Sequence, residues 1–175
     1  SPYDYWQFWR NAEDADVGRL LRTFTLLSKG EIEAIEAAHA AAPHERGGQK
    51  RLAREVTTLI HGAAATEIAE TVSRTVFYKK ADAHALSDDV FTMLAAEMPS
   101  VRVRAGSAEL DIVEVLAEAF ALSKTAARKL VQQGAISVNG AKLAGDATHV
   151  PMGEAVRRRW MLVRKGAREI AVVEA

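Results

Sequence analysis

The stretch SKTAARKLVQQGAISVNGAK, residues 123–142, decides the predicted fold of the second half of the chain. Ser123 is a good N-cap, and the residues after it put small and apolar side chains on one side of a helix. Lys124, Arg128 and Gln132 follow at i, i+4 and i+8 on another side. One side is expected to pack, and the other offers positive charge.

The end of the same stretch predicts a hairpin. Gly134 is expected to end the helix, and residues 135–138 are typical of a short strand. Asn139-Gly140 is the strongest two-residue hairpin signal in the chain. A basic helix is therefore expected to lie against a small sheet.

The rest of the second half fits this small domain. Asp111 can cap a helix over residues 112–121, and residues 158–163 and 169–173 are typical of strands joined by a turn. The fold class predicted for residues 109–175 is two helices laid on a small, largely antiparallel sheet. With the first half, this makes an α+β protein.

The first half predicts an all-helical domain over residues 1–98, with six helices marked by caps and helical periodicity. The third is expected over about 29–42 with Ile32, Ile35 and Ala38 or His39 inward. Two successive helices are expected next, one running to about His61-Gly62 and the other over about 64–78. Its aromatic start is interpreted as a core helix rather than a base-stacking platform. This start also suggests that another segment precedes residue 1. Residues 99–108, rich in Pro, Gly and small polar side chains, are expected to form a linker with at most one edge strand.

Composition excludes several classes. The 175 residues are 49% apolar and include no cysteine, so the chain has enough apolar residues for real cores and cannot use disulfides or thiolate chemistry. No apolar run of about 18 residues occurs, and no export signal is recognisable, so we expect a cytoplasmic protein without membrane contact.

Formal net charge is zero, but it is unevenly distributed. Residues 1–98 carry minus 4 and residues 99–175 carry plus 4, and between Ser123 and Arg168 ten basic residues stand against two acidic ones. A polyanion is the expected partner of such a surface.

Signals for catalysis are weak. The five histidines form no metal-ligand pattern, and neither a phosphate-binding glycine loop nor a nucleophile elbow is present. We therefore expect no catalytic residue and no metal or other cofactor in this chain.

The basic side chains of the second half indicate RNA. Lys and Arg contacts to phosphate give strong, salt-dependent affinity, and structured RNA suits a small module without a dimerising element better than the DNA major groove does. The predicted RNA-binding residues are Lys124, Arg128, Lys129, Gln132, Asn139, Lys142 and Arg158.

Two segments resemble known families. Residues 121–142 resemble the RNA-binding module named after ribosomal protein S-four, also called the alpha-L type, whose hallmark is a basic helix, Gly, a strand and Val-Asn-Gly. SPYDYWQFWRNAEDADVGRLLRTFT (residues 1–25) and LAREVTTLIHG (residues 52–62) are similar to the helical anticodon-binding domain of bacterial-type tyrosyl-tRNA synthetases, class I aminoacyl-tRNA synthetases. Both occur in that family's order.

The resemblance implies a function. Members of the family attach tyrosine to its tRNA using ATP with Mg, act as homodimers, and carry His-x-Gly-His and Lys-x-x-Lys-Ser-like signatures that this chain lacks. The chain is thus expected to bind tRNA(Tyr) without aminoacylating it, and on its own it is expected to be inactive. Its own oligomeric state, monomer or dimer, is left open by the sequence. The RNA-gripping domain is expected between the anticodon stem and the long variable arm.

The acidic turn at Glu13-Asp14 occupies the place of a family Asp-Asp pair that is implicated in reading the first anticodon base. A carboxylate can accept two hydrogen bonds from the Watson–Crick edge of guanine. Glu13 departs from the family pair by one methylene, and helix capping alone is the alternative role.

Two further classes of function remain open from the sequence. The chain could be a free-standing, ribosome-associated RNA-binding protein, or a protein-interaction module whose basic face is incidental. Selective tRNA binding at two salt concentrations would distinguish them.

Overall fold

A computed structural model describes residues 1–78, 82–104 and 106–175. The chain divides into two compact units, Ser1–Ser73 and Arg74–Ala175. The helices are α1 (Pro2–Arg10), α2 (Val17–Phe24), α3 (Lys29–Ala41), α4 (Gly47–Phe77), α5 (Asp88–Glu97), α6 (Ile112–Ala119) and α7 (Lys124–Gln132). The strands are β1 (Ser100–Arg102), β2 (Glu109–Asp111), β3 (Ile136–Val138), β4 (Ala141–Lys142), β5 (His149–Pro151), β6 (Trp160–Lys165) and β7 (Glu169–Glu174).

Helix α1 starts the first unit and supplies part of its core. The Ser1 hydroxyl accepts a hydrogen bond from a first-turn amide at 3.1 Å, and Pro2 occupies the first helical position, where its missing N–H costs nothing. Tyr3, Trp6 and Trp9 are buried on one side of the helix. The interpretation of this aromatic start as a core helix is confirmed.

Helix α3 begins with a reciprocal cap. The Glu31 amide donates to the Ser28 hydroxyl, and the Glu31 carboxylate accepts from both the hydroxyl and the amide of Ser28. These hydrogen bonds lower the pKa of Glu31. Ile32 and His39 are the buried residues of the helix, so the predicted inward side of α3 is confirmed at these two positions.

A glycine breaks α4 where the sequence predicts two successive helices. Gly62 has φ +83° and ψ 163°, a conformation that is essentially restricted to glycine. The Thr66 hydroxyl donates to the Gly62 carbonyl at 2.9 Å and accepts from the Thr58 hydroxyl at 3.2 Å. Side chains thus bridge the interruption, and the chain continues as helix on both sides of it.

The second unit is built on a mixed sheet. Five strands lie in the order β1-β7-β6-β3-β4, with β1 parallel to β7 and every other pair antiparallel. β2 and β5 form a separate antiparallel pair. Helices α6 and α7 share one core with the strands, which includes Ile112, Leu116, Ala127, Val131, Ile136, Met161 and Val163. The predicted α+β class, with two helices on a largely antiparallel sheet, is confirmed.

The compact units differ from the predicted domains. We predicted a helical domain over residues 1–98 and a linker over 99–108, whereas α5 and β1 belong to the second unit. Phe91 of α5 stacks on Trp160 at 5.5 Å between ring centroids, and β1 pairs with β7 over three residues. Because these contacts join residues about 70 positions apart, local composition does not reveal them. Residue 105 of the predicted linker lies outside the described residues.

Candidate nucleic-acid interface

Helix α7 has the predicted two-sided character. The Ser123 hydroxyl accepts a hydrogen bond from the Ala126 amide at 3.1 Å, and the cap holds the first turn of the helix. Ala127 and Val131 are buried against the core. The predicted RNA-binding side chains of this helix, Lys124, Arg128, Lys129 and Gln132, are all exposed.

The hairpin after α7 also forms as predicted. Gly134 has φ +63°, and Asn139 and Gly140 have φ +49° and +89°, which is the left-handed geometry of a two-residue hairpin turn. The Asn139 amide nitrogen donates to the Glu154 carbonyl at 2.8 Å, and its oxygen accepts from the Leu162 amide at 2.9 Å. The contact of Asn139 with RNA stays a prediction. Within the protein, its side chain connects the turn to two neighbouring segments by hydrogen bonds.

Half of the ten basic side chains between Ser123 and Arg168 are engaged within the second unit. Four form ion pairs: Lys124 with Glu114 at 2.7 Å, Arg157 with Asp88 at 3.1 Å, Arg159 with Glu174 at 2.5 Å, and Lys165 with Glu169 at 2.7 Å. The fifth, Arg164, is buried and donates to the carbonyls of Thr75, Val76 and Ala167.

These pairs shift the pKa values of their members. The hydrogen bond from Lys124 to Glu114 raises the pKa of the lysine, and the nearby Arg128 opposes that rise. Hydrogen bonds from Trp160 and Arg157 lower the pKa of Asp88. A cation whose charge is already balanced contributes less to holding phosphate than an unpaired one.

The other five cations are exposed and form no ion pair or side-chain hydrogen bond with the described part of the chain. These unpaired cations are Arg128, Lys129, Lys142, Arg158 and Arg168. Four of them belong to the predicted RNA-binding set, and Arg168 is an addition to it. The sequence alone does not distinguish the unpaired Arg168 from the paired arginines, because pairing depends on acidic residues far away in the chain.

Four of the five unpaired cations come from elements that meet at one end of the sheet. Helix α7 leads directly into β3, whose Ile136 is opposite Lys165, and the Gly166 amide of the β6–β7 turn donates to the Ala135 carbonyl at 2.8 Å. The Lys142 side chain crosses Gly134, where an added Cβ would lie 2.6 Å from its Cε. We call this end, which carries Arg128, Lys129, Lys142 and Arg168, the open end.

The opposite end of the sheet carries Arg158. This residue precedes β6, whose first residue, Trp160, is five steps from Lys165, or about 17 Å at roughly 3.3 Å per residue. Asn139 lies toward that end too, because its amide donates to the Leu162 carbonyl. The structure therefore brings together most of the predicted RNA-binding set but leaves Asn139 and Arg158 apart from it.

The acidic turn of the first unit is anchored from inside. Asp14 Oδ1 accepts a hydrogen bond from Gln49 Nε2 at 2.5 Å and lies 3.3 Å from His39 Nε2. Gln49 is fully buried and also donates to the Ala12 carbonyl at 3.3 Å. Asp14 thus ties the turn to α3 and α4.

Helix capping, the alternative role for this turn, is not what these side chains do. Glu13 stands at the N-cap of the short 3-10 turn Asp14–Asp16 and makes no side-chain capping hydrogen bond. Its carboxylate is exposed and has no partner in the described part of the chain. Beside Asp14 lies a concavity of about 640 Å³ whose charged lining includes Arg19, Arg22 and Glu36. A ligand can reach the turn from this side.

Residues 1–78, 82–104 and 106–175 contain no group of three or more His, Cys, Asp or Glu side chains that could hold a metal ion. Nor does any helix among them combine the length and apolar character needed to cross a membrane.

Two family models match the chain. One describes class I tRNA synthetases for tryptophan and tyrosine and matches residues 1–78. The other describes the C-terminal domain of tyrosine–tRNA ligases and matches residues 90–173. The two matches occur along the chain in the order that the sequence resemblance predicts.

Individual relatives extend the match to nearly the whole chain. The tyrosine–tRNA ligase of Mycobacterium tuberculosis is 35% identical over 174 residues, which is 99% of this chain and 41% of that protein. The tyrosine–tRNA ligase of Anaeromyxobacter dehalogenans is 39% identical over 176 residues, 99% of this chain and 42% of the relative. The chain spans about two fifths of the length of these curated relatives.

Among solved structures, a C-terminally truncated Aspergillus nidulans mitochondrial tyrosyl-tRNA synthetase matches with 32% identity and a TM-score of 0.43. That match covers 44% of this chain and 23% of the solved one. The sequence matches carry the assignment: the chain belongs to the tyrosine–tRNA ligase family of class I aminoacyl-tRNA synthetases and is similar to the C-terminal part of its bacterial-type members.

Proposed function

We propose that this chain binds tRNA(Tyr) as the tRNA-recognition portion of a tyrosine–tRNA ligase. The observation that carries the proposal is the open end. Its four cations have no ion-pair partner in residues 1–78, 82–104 and 106–175, and they come from three neighbouring elements of one small fold. Such a cluster suits the phosphate backbone of a folded RNA, which is recognised mainly by shape and charge.

In this proposal, the catalytic functions of the enzyme belong to residues outside this chain. The whole enzyme attaches tyrosine to tRNA with ATP and Mg, acts as a homodimer, and works in the cytoplasm. The role of this chain is to hold and select the tRNA rather than to act on it, and DNA is not among its ligands.

The acidic turn of the first unit supplies selectivity for the anticodon. Glu13 is exposed and has no partner among the residues that the structure describes, so both of its carboxylate oxygens can accept the N1–H and amine hydrogens of guanine. Asp14 already accepts a hydrogen bond from Gln49, so it positions the turn rather than reading the base alone. The proposal therefore gives Glu13 the direct contact and Asp14 the supporting one.

Fluorescence anisotropy with the 175-residue chain tests tRNA binding. Labelled tRNA(Tyr) and a tRNA with a short variable arm are titrated at several salt concentrations. We expect tighter binding of tRNA(Tyr), and a slope of log affinity against log salt of about −3 to −4, because four unpaired cations contact phosphates. Binding that is weak and independent of salt would contradict the proposal and favour a protein-interaction module.

Anticodon reading is tested in the same assay with tRNA(Tyr) variants at the first anticodon base. The unchanged chain should prefer guanine, and Glu13→Gln should remove that preference because a neutral amide replaces the two-acceptor carboxylate. Glu33→Gln is the control for the loss of one acidic charge, since Glu33 belongs to α3 and its carboxylate faces Lys29 at 3.7 Å. Equal binding of all anticodon variants by the unchanged chain would contradict the role of Glu13.

A further inference from the structure

A groove lies between α7 and the β6–β7 hairpin, inside the second unit. Its volume is about 680 Å³, within the range of roughly 300–1,000 Å³ that is usual for small-ligand sites. The apolar part of its lining comes from both elements and from the segments that flank α7: Leu122, Ala126, Leu130, Ala135 and Ala167.

Charged side chains stand at the rim of this groove. Lys129 and Arg168 are exposed and have no ion-pair partner in the described part of the chain. Lys165 is held in place by Glu169 at 2.7 Å and by the Phe120 ring, whose centroid is 4.7 Å from the lysine Nζ. Since Lys165 and Glu169 balance each other, the net charge of the rim comes from Lys129 and Arg168.

The groove uses a different side of α7 from the one that carries Arg128. Ala126, Lys129 and Leu130 line it together with Gln133, and these positions follow the i, i+3, i+4, i+7 spacing of one helical side. Lys124, Arg128 and Gln132 share the neighbouring side and do not line the groove. α7 therefore offers a purely polar side and a second side where apolar and cationic groups meet.

We infer that the groove binds one unstacked nucleotide of the RNA, an inference that rests on the proposed function. The base would lie on the apolar floor formed by Leu122, Ala126 and Leu130, where an unstacked base gains contacts that a paired one cannot make. The Arg168 guanidinium can stack on the face of the base, and Lys129 can pair with its phosphate. Phosphate contacts alone would leave the apolar floor without a function.

A pair of hairpin RNAs tests this inference in the full 175-residue chain. One RNA carries a single bulged nucleotide in its stem, and the other has an abasic sugar at the same position. We expect the bulged RNA to bind about fivefold to tenfold more tightly, which corresponds to roughly 1–1.4 kcal/mol. This is the lower end of what a base gains by stacking on an aromatic side chain, because the floor of the groove is aliphatic. Both RNAs have the same phosphates, so charge cannot produce the difference.

Two substitutions fill the groove while leaving its charges intact. In Ala126→Leu, and separately in Ala167→Leu on the facing hairpin, the difference between the two RNAs should disappear, while the abasic RNA binds as before. Ala167 is exposed, so binding by the second variant can be interpreted even if the first substitution disturbs the fold of α7. Arg128→Ala is the control: it should weaken both RNAs by the same factor and keep their ratio.

The possible outcomes separate the two proposals. Equal binding of bulged and abasic RNA by the unchanged chain overturns the groove as a nucleotide site, while tight, salt-dependent binding of both keeps the proposed function. Absence of binding to either RNA and to tRNA(Tyr) overturns both proposals. A preference for the bulged RNA that survives in both filled variants also overturns the groove, since the base must then bind elsewhere.

Discussion

The two ends of the five-stranded sheet use the same residue types for opposite purposes. At the Trp160 end, Arg157 and Arg159 are paired with carboxylates. At the open end, Arg128 and Arg168 have no such partner in the described residues. Two of the three arginines at the Trp160 end, which is the end opposite the open end, are thus structural, and only Arg158 is available there. At the open end, Arg128 and Arg168 are both available charges.

The difference teaches that a basic run in a sequence is not a binding surface by itself. Arg157, Arg158 and Arg159 are consecutive, yet two of the three are neutralised by acids from α5 and β7. The acids do not lie near these arginines in the chain, so the plus 8 charge between Ser123 and Arg168 overstates what a ligand meets. Three predictions test this contrast.

The largest effect is expected from Trp160→Ala. Trp160 is 1% exposed, stacks on Phe91, and donates its indole N–H to Asp88 at 2.8 Å. Truncating such a side chain typically costs about 3–5 kcal/mol of unfolding free energy. Urea unfolding followed by far-UV circular dichroism measures the loss.

Trp160→Phe is the matched control for that prediction. It keeps an aromatic ring against Phe91 but removes the hydrogen bond to Asp88 and part of the ring volume, so a smaller loss of about 1–2 kcal/mol is expected. A cost below 1 kcal/mol for Trp160→Ala would show that the Trp160 end does not hold the second unit together.

An intermediate effect is expected from removing charges at either end. Changing Arg128 and Lys142 together to alanine should reduce the magnitude of the slope of log tRNA affinity against log salt by about 2. Each phosphate contact that is removed lowers this magnitude by about 1. Changing Arg157 and Arg159 together to alanine should leave the slope unchanged. Equal losses of slope at the two ends would contradict the division into paired and unpaired cations.

The smallest effect is expected from pH. Asp88 and Glu174 have lowered pKa values, chiefly through hydrogen bonds from Trp160 and Arg159 respectively. A carboxyl group whose pKa is lower in the folded chain than in the unfolded chain stabilises the fold when pH is above the unfolded pKa. This stabilisation is lost as pH falls from the unfolded pKa to the folded pKa. Stability should therefore decline below about pH 5, since unfolded Asp and Glu titrate near pH 4.

The double variant Asp88→Asn, Glu174→Gln checks the source of that decline. It should be less stable than the unchanged chain at pH 7. The gap in melting temperature should narrow as pH falls from 5 to 3, because the carboxyl groups of the unfolded chain then take up protons and the stabilising difference between the two states decreases. A gap that stays constant from pH 7 to pH 3 would assign the acid sensitivity to other groups.

Sequence could predict the features that depend on neighbouring residues. The Ser123 cap, the two-sided helix α7, the Asn139-Gly140 turn and the break at Gly62 all follow from local backbone preferences and side-chain spacing. For the same reason, the order of helices and strands agrees with the predicted α+β class.

Sequence could not predict the features that depend on tertiary contacts. Arg157 and Asp88 are 69 residues apart, and Asp14 and Gln49 are 35 apart. No local pattern links such residues, so the sequence could not show which basic side chains are paired. It also could not show that Glu13 makes no capping hydrogen bond. The reading of the anticodon by this turn stays a proposal. The parallel pairing of β1 with β7 is a tertiary contact of the same kind. It places β1 in the second unit and not in the predicted linker.

Arg164 has a consequence for dissecting the chain. Its buried guanidinium donates to the carbonyls of Thr75 and Val76, at the last turn of α4. A fragment that starts at residue 82 would remove these acceptors and leave a buried cation with too few partners, which is strongly destabilising. Protein engineers who want the RNA-binding unit alone should therefore retain the final turn of α4 in the expressed fragment.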